Sequence, residues 1–584
     1  MTLPAGSELL IKTLLSIDNA NTNPHFKANV KNFAKHGIIY VGHPLVYSYC
    51  PFCKEKKIKR YFFTNENSHY AHSEKCEQCI EFKKYFEMFN NQILDMIADF
   101  LASYQISINA LCSIKFSNIL QYSNPLIKII KKSDIRKHIY ILFNKYNSEI
   151  NYQNVGEFAS ILIDGASRNL KNFYAFILFT KSRLFYIKIS KMDKATSENI
   201  SQVTKEIINY LNNVLNIEVI SICTDHAANM VKAFNALDQI SCQKLADTFF
   251  EWIGCTCHLL NLSISDLEKN TEFINIKNTL LFILSLSQKM EFPHKVPTFS
   301  KTRWDSFSKC FNFSLFYKDR IFPKMLSVLY DLLEKKNIIE QKIQRNQFSI
   351  DLFNQYISVI NEISIHQKYI QTYQSNEFEE LTTIFTYMSN LINKIGSNNF
   401  LLCQVFPEFI LLKDFFSTLT TKDNKKFSEI ILNRILNAKE YIQAAASFLF
   451  TSEGHNYFLC KLNEEEKEDI ISKIKSYLLK YNYSKFGDNE DLLSEQFEKY
   501  LKMPNFGETD PFDFWNNLRQ VSGMNRLAEL AIRILNMPCS EAAVERLFSH
   551  LKFVFGKKNY NKSDDLLNEE LGIRMGNIYS IQKE

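Results

Sequence analysis

The chain has 584 residues, too many for one hydrophobic core and enough for three or four domains. At 46% hydrophobic and 23% charged residues, it is not a disordered, collagenous or simple coiled-coil chain. Its 69 Lys and Arg against 63 Asp and Glu leave a surplus of only +6, so any basic surface must be local.

With 14 Gly and 12 Pro, turns must lean on Asn, Asp and Ser, and long helices are favoured. No apolar run approaches the roughly 20 residues that span a bilayer, and Leu280 to Leu284 is only core-sized. No basic segment precedes a hydrophobic signal core, so the expectation is a soluble, intracellular protein with no membrane partner. Thirteen cysteines, an odd number, read mostly as reduced thiols in packed interiors.

Residues 1–40 form an N-terminal segment, and 41–80 carry one dense cluster of metal-ligand types. Cys50-Pro51-Phe52-Cys53 is a C-x2-C knuckle; His72 follows after eighteen residues and Cys76 after three more. Two thiolates on a turn and a His/Cys pair one helical turn apart can converge on one tetrahedral zinc ion. The preferred ligands are Cys50, Cys53, His72 and Cys76, with Cys79 or His69 as alternatives in the second half. Between the halves lie Lys54, Lys56, Lys57, Lys59 and Arg60 beside Tyr61, Phe62 and Phe63, where contacts to DNA phosphates would concentrate, most directly through Lys56, Lys57, Lys59 and Arg60. The finger resembles the BED type, without the tryptophan usual upstream of the first Cys.

Residues 81–150 read as a helical linking region, with Phe82, Phe86, Phe89, Ile93, Met96, Ile97 and Phe100 at helical spacing. From Phe158 the texture becomes β-rich. Ala159 to Asp164, Tyr174 to Phe179 and Arg183 to Ile189 read as three strands, Glu198 to Leu215 as a helix and Glu218 to Asp225 as a fourth strand. This β-β-β-α-β order opens an RNase H-like α/β fold, in which the first and fourth strands are neighbours. Residues 155–305 are therefore the first part of that core. Asp164 and Asp225 each end a hydrophobic strand, and parallel adjacent strands would bring both carboxylates to one sheet edge, where they could share divalent ions. Residues 306–505 read as a large all-α insertion and 506–584 as a closing helical region. There Ser540 is a candidate N-cap, Glu541 has a role with the helix dipole, and Glu545 is the third acid, on a helix with an apolar stripe of Val544, Leu547, Leu551 and Val554.

Five motifs occur in the order seen in hAT-superfamily transposases, which the chain resembles: Ile161 to Gly165; Cys223-Thr-Asp225-His-Ala-Ala-Asn229; Cys255-x-Cys257-His258-x-Leu260-Asn261; Thr302-Arg303-Trp304-Asp305-Ser306; and Ser540-x3-Val-Glu545-Arg546-x-Phe548-Ser549. The resemblance implies a catalytic triad of Asp164, Asp225 and Glu545 holding Mg2+ or Mn2+. It implies DNA handling by His258, Arg303 and Trp304, with Trp304 stacking on an extruded base. It also implies a C-terminal dimerisation region, a homo-oligomer of dimeric or higher order, double-stranded DNA as partner and a nuclear location. The chain has Ala166-Ser167 where the family often has Trp and Thr two and three residues after the first Asp. The expected function is metal-dependent DNA cleavage and strand transfer. The alternative is a catalytically retired, transposase-derived regulator that binds DNA and dimerises.

Overall fold

The structure is a computed structural model that describes residues 39–41, 47–49 and 77–573, apart from 105–107, 124–126, 150–156, 169–170, 181–182, 193, 237–249, 301–305, 346–348, 399, 487–489, 505–506, 508, 522, 556–567 and 570. The expected zinc ligands Cys50, Cys53, His69, His72 and Cys76, the side chain of Cys79, and the basic run Lys56, Lys57, Lys59 and Arg60 lie outside the described residues. The chain divides into two compact units, residues 1–151 with 552–584, and residues 152–551.

In the first unit, β1 (Ile39–Val41) pairs antiparallel with β2 (Tyr47–Tyr49). Among the described residues there follow α1 (Glu77–Tyr104), α2 (Ile108–Leu111), α3 (Ile114–Ser123) and α4 (Lys132–Glu149). The helix expected over this stretch is observed, and it buries aliphatic side chains. Ile97, Ala98 and Leu101 are buried with Leu111, Ile135, Ile139 and Ile573, whereas Met96 is 67% and Phe100 42% exposed. Ile93, Ile97 and Leu101 recur every four residues and point one way, so Met96 and Phe100 fall on the outer face. His138 Nδ1 lies 2.6 Å from Asp95 Oδ1 and ties α4 to α1.

The second unit is built on a five-stranded mixed sheet. β3 (Phe158–Arg168), β4 (Lys171–Thr180) and β5 (Arg183–Met192) form an antiparallel meander. After α5 (Ser197–Leu215), β6 (Glu218–Thr224) returns parallel to β3; after α6 (Ala228–Ala236), β7 (Glu251–Gly254) adds parallel to β6, giving the order β5-β4-β3-β6-β7. Helix α5 begins where Thr196 Oγ1 accepts from Asn199 N and ends at Asn216, whose left-handed φ of 53° directs its N–H to Leu211 O. Its face Ile200, Ile207, Ile208 and Leu211 packs on Ile161, Ile163, Phe176 and Ile222. Each such fully buried side chain contributes about 1.5–3 kcal/mol.

From α7 (Thr256–Leu267) and α8 (Thr271–Ser287) onward this unit is helical: α9 (Ser306–Phe316), α10 (Lys318–Gln344), α11 (Ile350–Gln374), α12 (Asn376–Ile395), α13 (Val405–Ser417), α14 (Lys422–Leu436), α15 (Lys439–Leu449), α16 (Ser452–Cys460), α17 (Glu464–Phe486), α18 (Glu490–Leu501), α19 (Pro511–Arg519), α20 (Asn525–Leu535) and α21 (Ala542–Phe555). Phe273, Phe307, Phe311, Phe378, Phe385 and Phe427 meet in one aromatic core that locks α8, α9, α12 and α14 together. No helix among the described residues is long and apolar enough to cross a membrane. The α/β core with an all-α region, expected from the change of periodicity near residue 305, is the observed arrangement in outline.

Candidate active site

Asp164 lies inside β3, not at its end as expected. On one side the strand stays paired with β4 as far as Arg168↔Lys171, with Asp164 opposite Ala175; on the other its pairing with β6 stops at Leu162↔Cys223. The hydrophobic run ends at Ile163 because β6 falls away there, and a polar continuation survives on the β4 side, where Ser167 Oγ donates to Asn172 Oδ1 at 2.6 Å. Extending the parallel register by two residues brings Asp164 level with Asp225, the residue after β6, on strands about 4.8 Å apart.

Both acids are held by local backbone. Asp164 Oδ1 accepts from Gly165 N at 2.6 Å, and Asp225 Oδ1 accepts from Ala227 N at 3.1 Å as the chain turns into α6. The Tyr174 ring packs over Gly165, where an added Cβ would meet Tyr174 Cε1 at 2.7 Å. Asn229 Nδ2 donates to the Tyr174 hydroxyl at 3.0 Å, which explains why an amide stands four residues after Asp225.

Glu545 comes from α21. Ser540 Oγ accepts from Ala542 N at 3.0 Å, and Val544 and Leu547, both fully buried, seat the helix. The segment before it is pinned by Thr256 N donating to Cys539 O at 2.9 Å and by Ser540 Oγ lying 3.5 Å from Cys255 Sγ and 3.4 Å from Cys257 Sγ. Glu541 departs from expectation. It precedes the helix and is 1% exposed, and its Oε2 has no hydrogen-bond partner, so it is a buried acid and not a dipole-stabilising residue of the first turn.

Charge ties these acids together. Burial, then the Asp225 carboxylate, pushes Asp164 up to about 8 against the Gly165 hydrogen bond, with Glu545 adding to the rise. Burial also raises Glu545 to about 7; Arg546 opposes and Asp225 reinforces the shift. Burial, Cys255 and Asp164 hold Glu541 well above the carboxylate range. Among the described residues, no three His, Cys, Asp or Glu side chains are gathered closely enough to hold a metal ion between them. The donor chemistry nevertheless fits a hard divalent cation: Asp164, Asp225 and Glu545 are oxygen ligands whose mutual repulsion a cation would relieve.

His258 borders this cluster, half-buried on α7. Burial and then the neighbouring His226 hold its pKa below the usual value, with Asp225 opposing. The two imidazoles stack with centroids 5.4 Å apart and planes 19° from parallel. His226 Nε2 in turn lies 3.0 Å from Glu440 Oε1 on α15, and burial of Glu440 is outweighed by His226, so its pKa is lowered. This pair was not anticipated. The position of His226 beside Asp225 was a signal, but nothing in the sequence marks Glu440, 214 residues further on. Cys257 is a fully buried core thiol with Sγ against Ile392 O. Arg303 and Trp304 lie outside the described residues.

Residues 496–569 match the family model of the hAT family C-terminal dimerisation region. The likeness to the hAT family rests on this stretch of the tail, which the family model describes as a dimerisation region. No curated protein matches the chain.

Proposed function

We propose that the chain is a hAT-like DNA transposase with an RNase H-like core, which cuts phosphodiesters with the help of divalent metal and joins 3′ ends to target DNA. The observation that carries this reading is the level placement of Asp164 and Asp225 on neighbouring parallel strands, with Glu545 near enough to share their electrostatics. The match of the tail to the hAT dimerisation region supports it.

In this reading Asp164, Asp225 and Glu545 hold Mg2+ or Mn2+, which when bound activates an attacking water or hydroxyl and stabilises the leaving 3′ oxygen. The residues of the chain supply position and charge. The amides of Gly165 and Ala227 fix the two aspartates, and the buried face of α21 presents Glu545. His258, its pKa held down, stays a neutral imidazole at physiological pH, available to a scissile phosphate as a hydrogen-bond donor without added charge. The BED-like finger, with zinc on Cys50, Cys53, His72 and Cys76, binds duplex DNA and places the end; Lys56, Lys57, Lys59 and Arg60 contact phosphates.

The test is incubation of purified protein with Mg2+ or Mn2+ on DNA carrying the genomic flanks of its own gene, beside Asp225→Asn. Nicks or hairpins at the flank that vanish in the variant are the expected result. Cutting that persists in Asp164→Asn, Asp225→Asn and Glu545→Gln alike overturns the assignment. Zinc-dependent binding without any cutting moves the chain to the retired-regulator reading.

A further inference from the structure

Beside the carboxylate cluster, β7 and α7 on one side and α14 and α15 on the other line an open cleft of 850 Å³ that the mechanism above leaves without a role. Its lining combines three kinds of group. Trp252 and His226 give an aromatic wall, their rings 6.1 Å apart at 73°. Leu259, Leu262 and Ile430 give an apolar floor, and Lys269, Arg434 and Lys439 stand at the rim with Asn270, Asn433 and Asn437.

The charges are arranged asymmetrically. The acids are withdrawn, with the side chains of Asp266, Glu440 and Glu251 only 18%, 6% and 10% exposed, while those of Lys269, Arg434 and Lys439 are 79%, 40% and 42% exposed. Asp266 anchors Lys269 at 2.6 Å and Arg434 Nε at 2.8 Å, and Glu251 anchors Lys439 at 2.5 Å. The acids thus orient the cations toward the opening, and an incoming anion meets positive heads first. The Arg434 guanidinium, held at Nε by Asp266 and 40% exposed, has the planar fork that suits a phosphate. An aromatic wall, an apolar floor and a cationic, amide-rich rim are the requirements for one or two unpaired nucleotides, a base stacking inside and its phosphate at the mouth.

We infer that this cleft holds a short single-stranded stretch of DNA beside the catalytic carboxylates, with a base against Trp252 and its phosphate on Arg434 and Lys439. The inference rests on reading the chain as a DNA-processing protein and names where it would keep an unpaired strand. His226 is shared, since it lines the cleft and stacks on His258, so an occupied cleft abuts the cutting site.

The test uses the full chain and two fluorescent probes, a single-stranded oligonucleotide and the same sequence fully paired, at one fixed salt concentration. The quantity read is the ratio of single-strand to duplex affinity. Arg434→Glu reverses the rim charge from an exposed helix position, and Asn433→Trp fills the cleft from another. Each is expected to lower the ratio at least fivefold, the loss expected from one stacked base. Arg434→Lys should recover part of it, and Lys422→Glu at the start of α14, away from the cleft, should leave it unchanged. A ratio unmoved by both Arg434→Glu and Asn433→Trp overturns the proposal, as does an equal fall with Lys422→Glu, which would mean that only overall charge matters. If the protein cuts no DNA yet the ratio falls in the cleft variants, the nuclease reading fails and the cleft stands.

Discussion

The sharpest consequence at the residue scale concerns Asp164. Unfolded, its carboxyl ionises near 3.8; folded and metal-free, it does so only near 8. Between these values unfolding releases a proton, so stability is fully present below the lower value and is lost as pH rises through the window. Asp164→Asn removes that dependence. Discounted for partial solvent access, the variant should be more stable than the parent by about 1–2 kcal/mol at pH 8 and equal to it near pH 4. Thermal melts in chelator at both pH values decide the matter, and a variant less stable at pH 8 counts against the buried-acid account. Mg2+ should raise the melting temperature of the parent and not of the variant, since only the parent keeps the full ligand set. Asp164 and Asp225 stand out in the sequence because acids after hydrophobic runs break strand periodicity, and Glu545 stands out as the inner acid of a helix with an apolar stripe. Glu541 was not legible as a buried acid: whether a carboxyl before a helix faces water or Cys255 depends on how the Cys539–Ser540 segment docks on Thr256, a contact made across 283 residues. Glu440 was invisible for the same reason.

At the scale of elements, two joints hold the site. The first is Gly254, at the end of β7, where an added Cβ would collide with Glu440 Oε1 and His226 Nε2. Gly254→Ala should therefore break the His226–Glu440 pair and cost on the order of 2–3 kcal/mol, while leaving most of the distant helical core intact. Chemical denaturation gives the cost, and a loss below about 0.5 kcal/mol would mean that the joint yields freely. The second is Arg533 on α20, 3% exposed. It sends Nη1 and Nη2 to Glu218 at 2.9 and 2.8 Å, contacts Glu529 Oε1 at 2.7 Å, and lies 4.3 Å over the Phe158 ring. It fastens the first residues of β3 and β6 to the closing helices. Arg533→Ala strands two half-buried carboxylates and should cost about 3–5 kcal/mol; Arg533→Ala with Glu218→Gln should recover part of that, and a double variant no better than the single would refute a charge-based joint. The strands themselves were readable from their β-rich runs, and their order from the β-β-β-α-β succession. Their ends were not, because β3 outlasts its hydrophobic stretch wherever β4 alone still pairs with it. The helix α1 was readable from its spacing, but which of two adjacent rows it buries was not, because that depends on neighbours such as Ile573, more than 400 residues away.

For the whole molecule the question is how a region matched as a dimerisation region serves a single chain first. Within residues 496–569, Gln496 is 1% exposed and accepts from Leu527 N at 2.8 Å, and Trp515 is fully buried, donating from Nε1 to Phe450 O at 2.8 Å with its ring on Phe450 and Tyr500. These residues complete the core of the second unit. Trp515→Ala should accordingly unfold the chain, by about 3–5 kcal/mol, rather than simply separate two folded copies. A partner copy must be met by surface that the single chain leaves open. Among the described residues of the first unit, α3 carries Ile114 and Tyr122 at 78% and 77% exposed, large apolar side chains facing outward on one short helix. The full chain should scatter light as a dimer or larger at micromolar concentration. Ile114→Asp with Tyr122→Asp should move it toward the monomer without lowering the melting temperature of the larger unit, because these side chains already lie outside the buried core. A parent that runs as a monomer removes the self-association reading altogether. A variant that keeps the parent's mass moves the contact to another face and leaves α3 an exposed helix without a role in assembly.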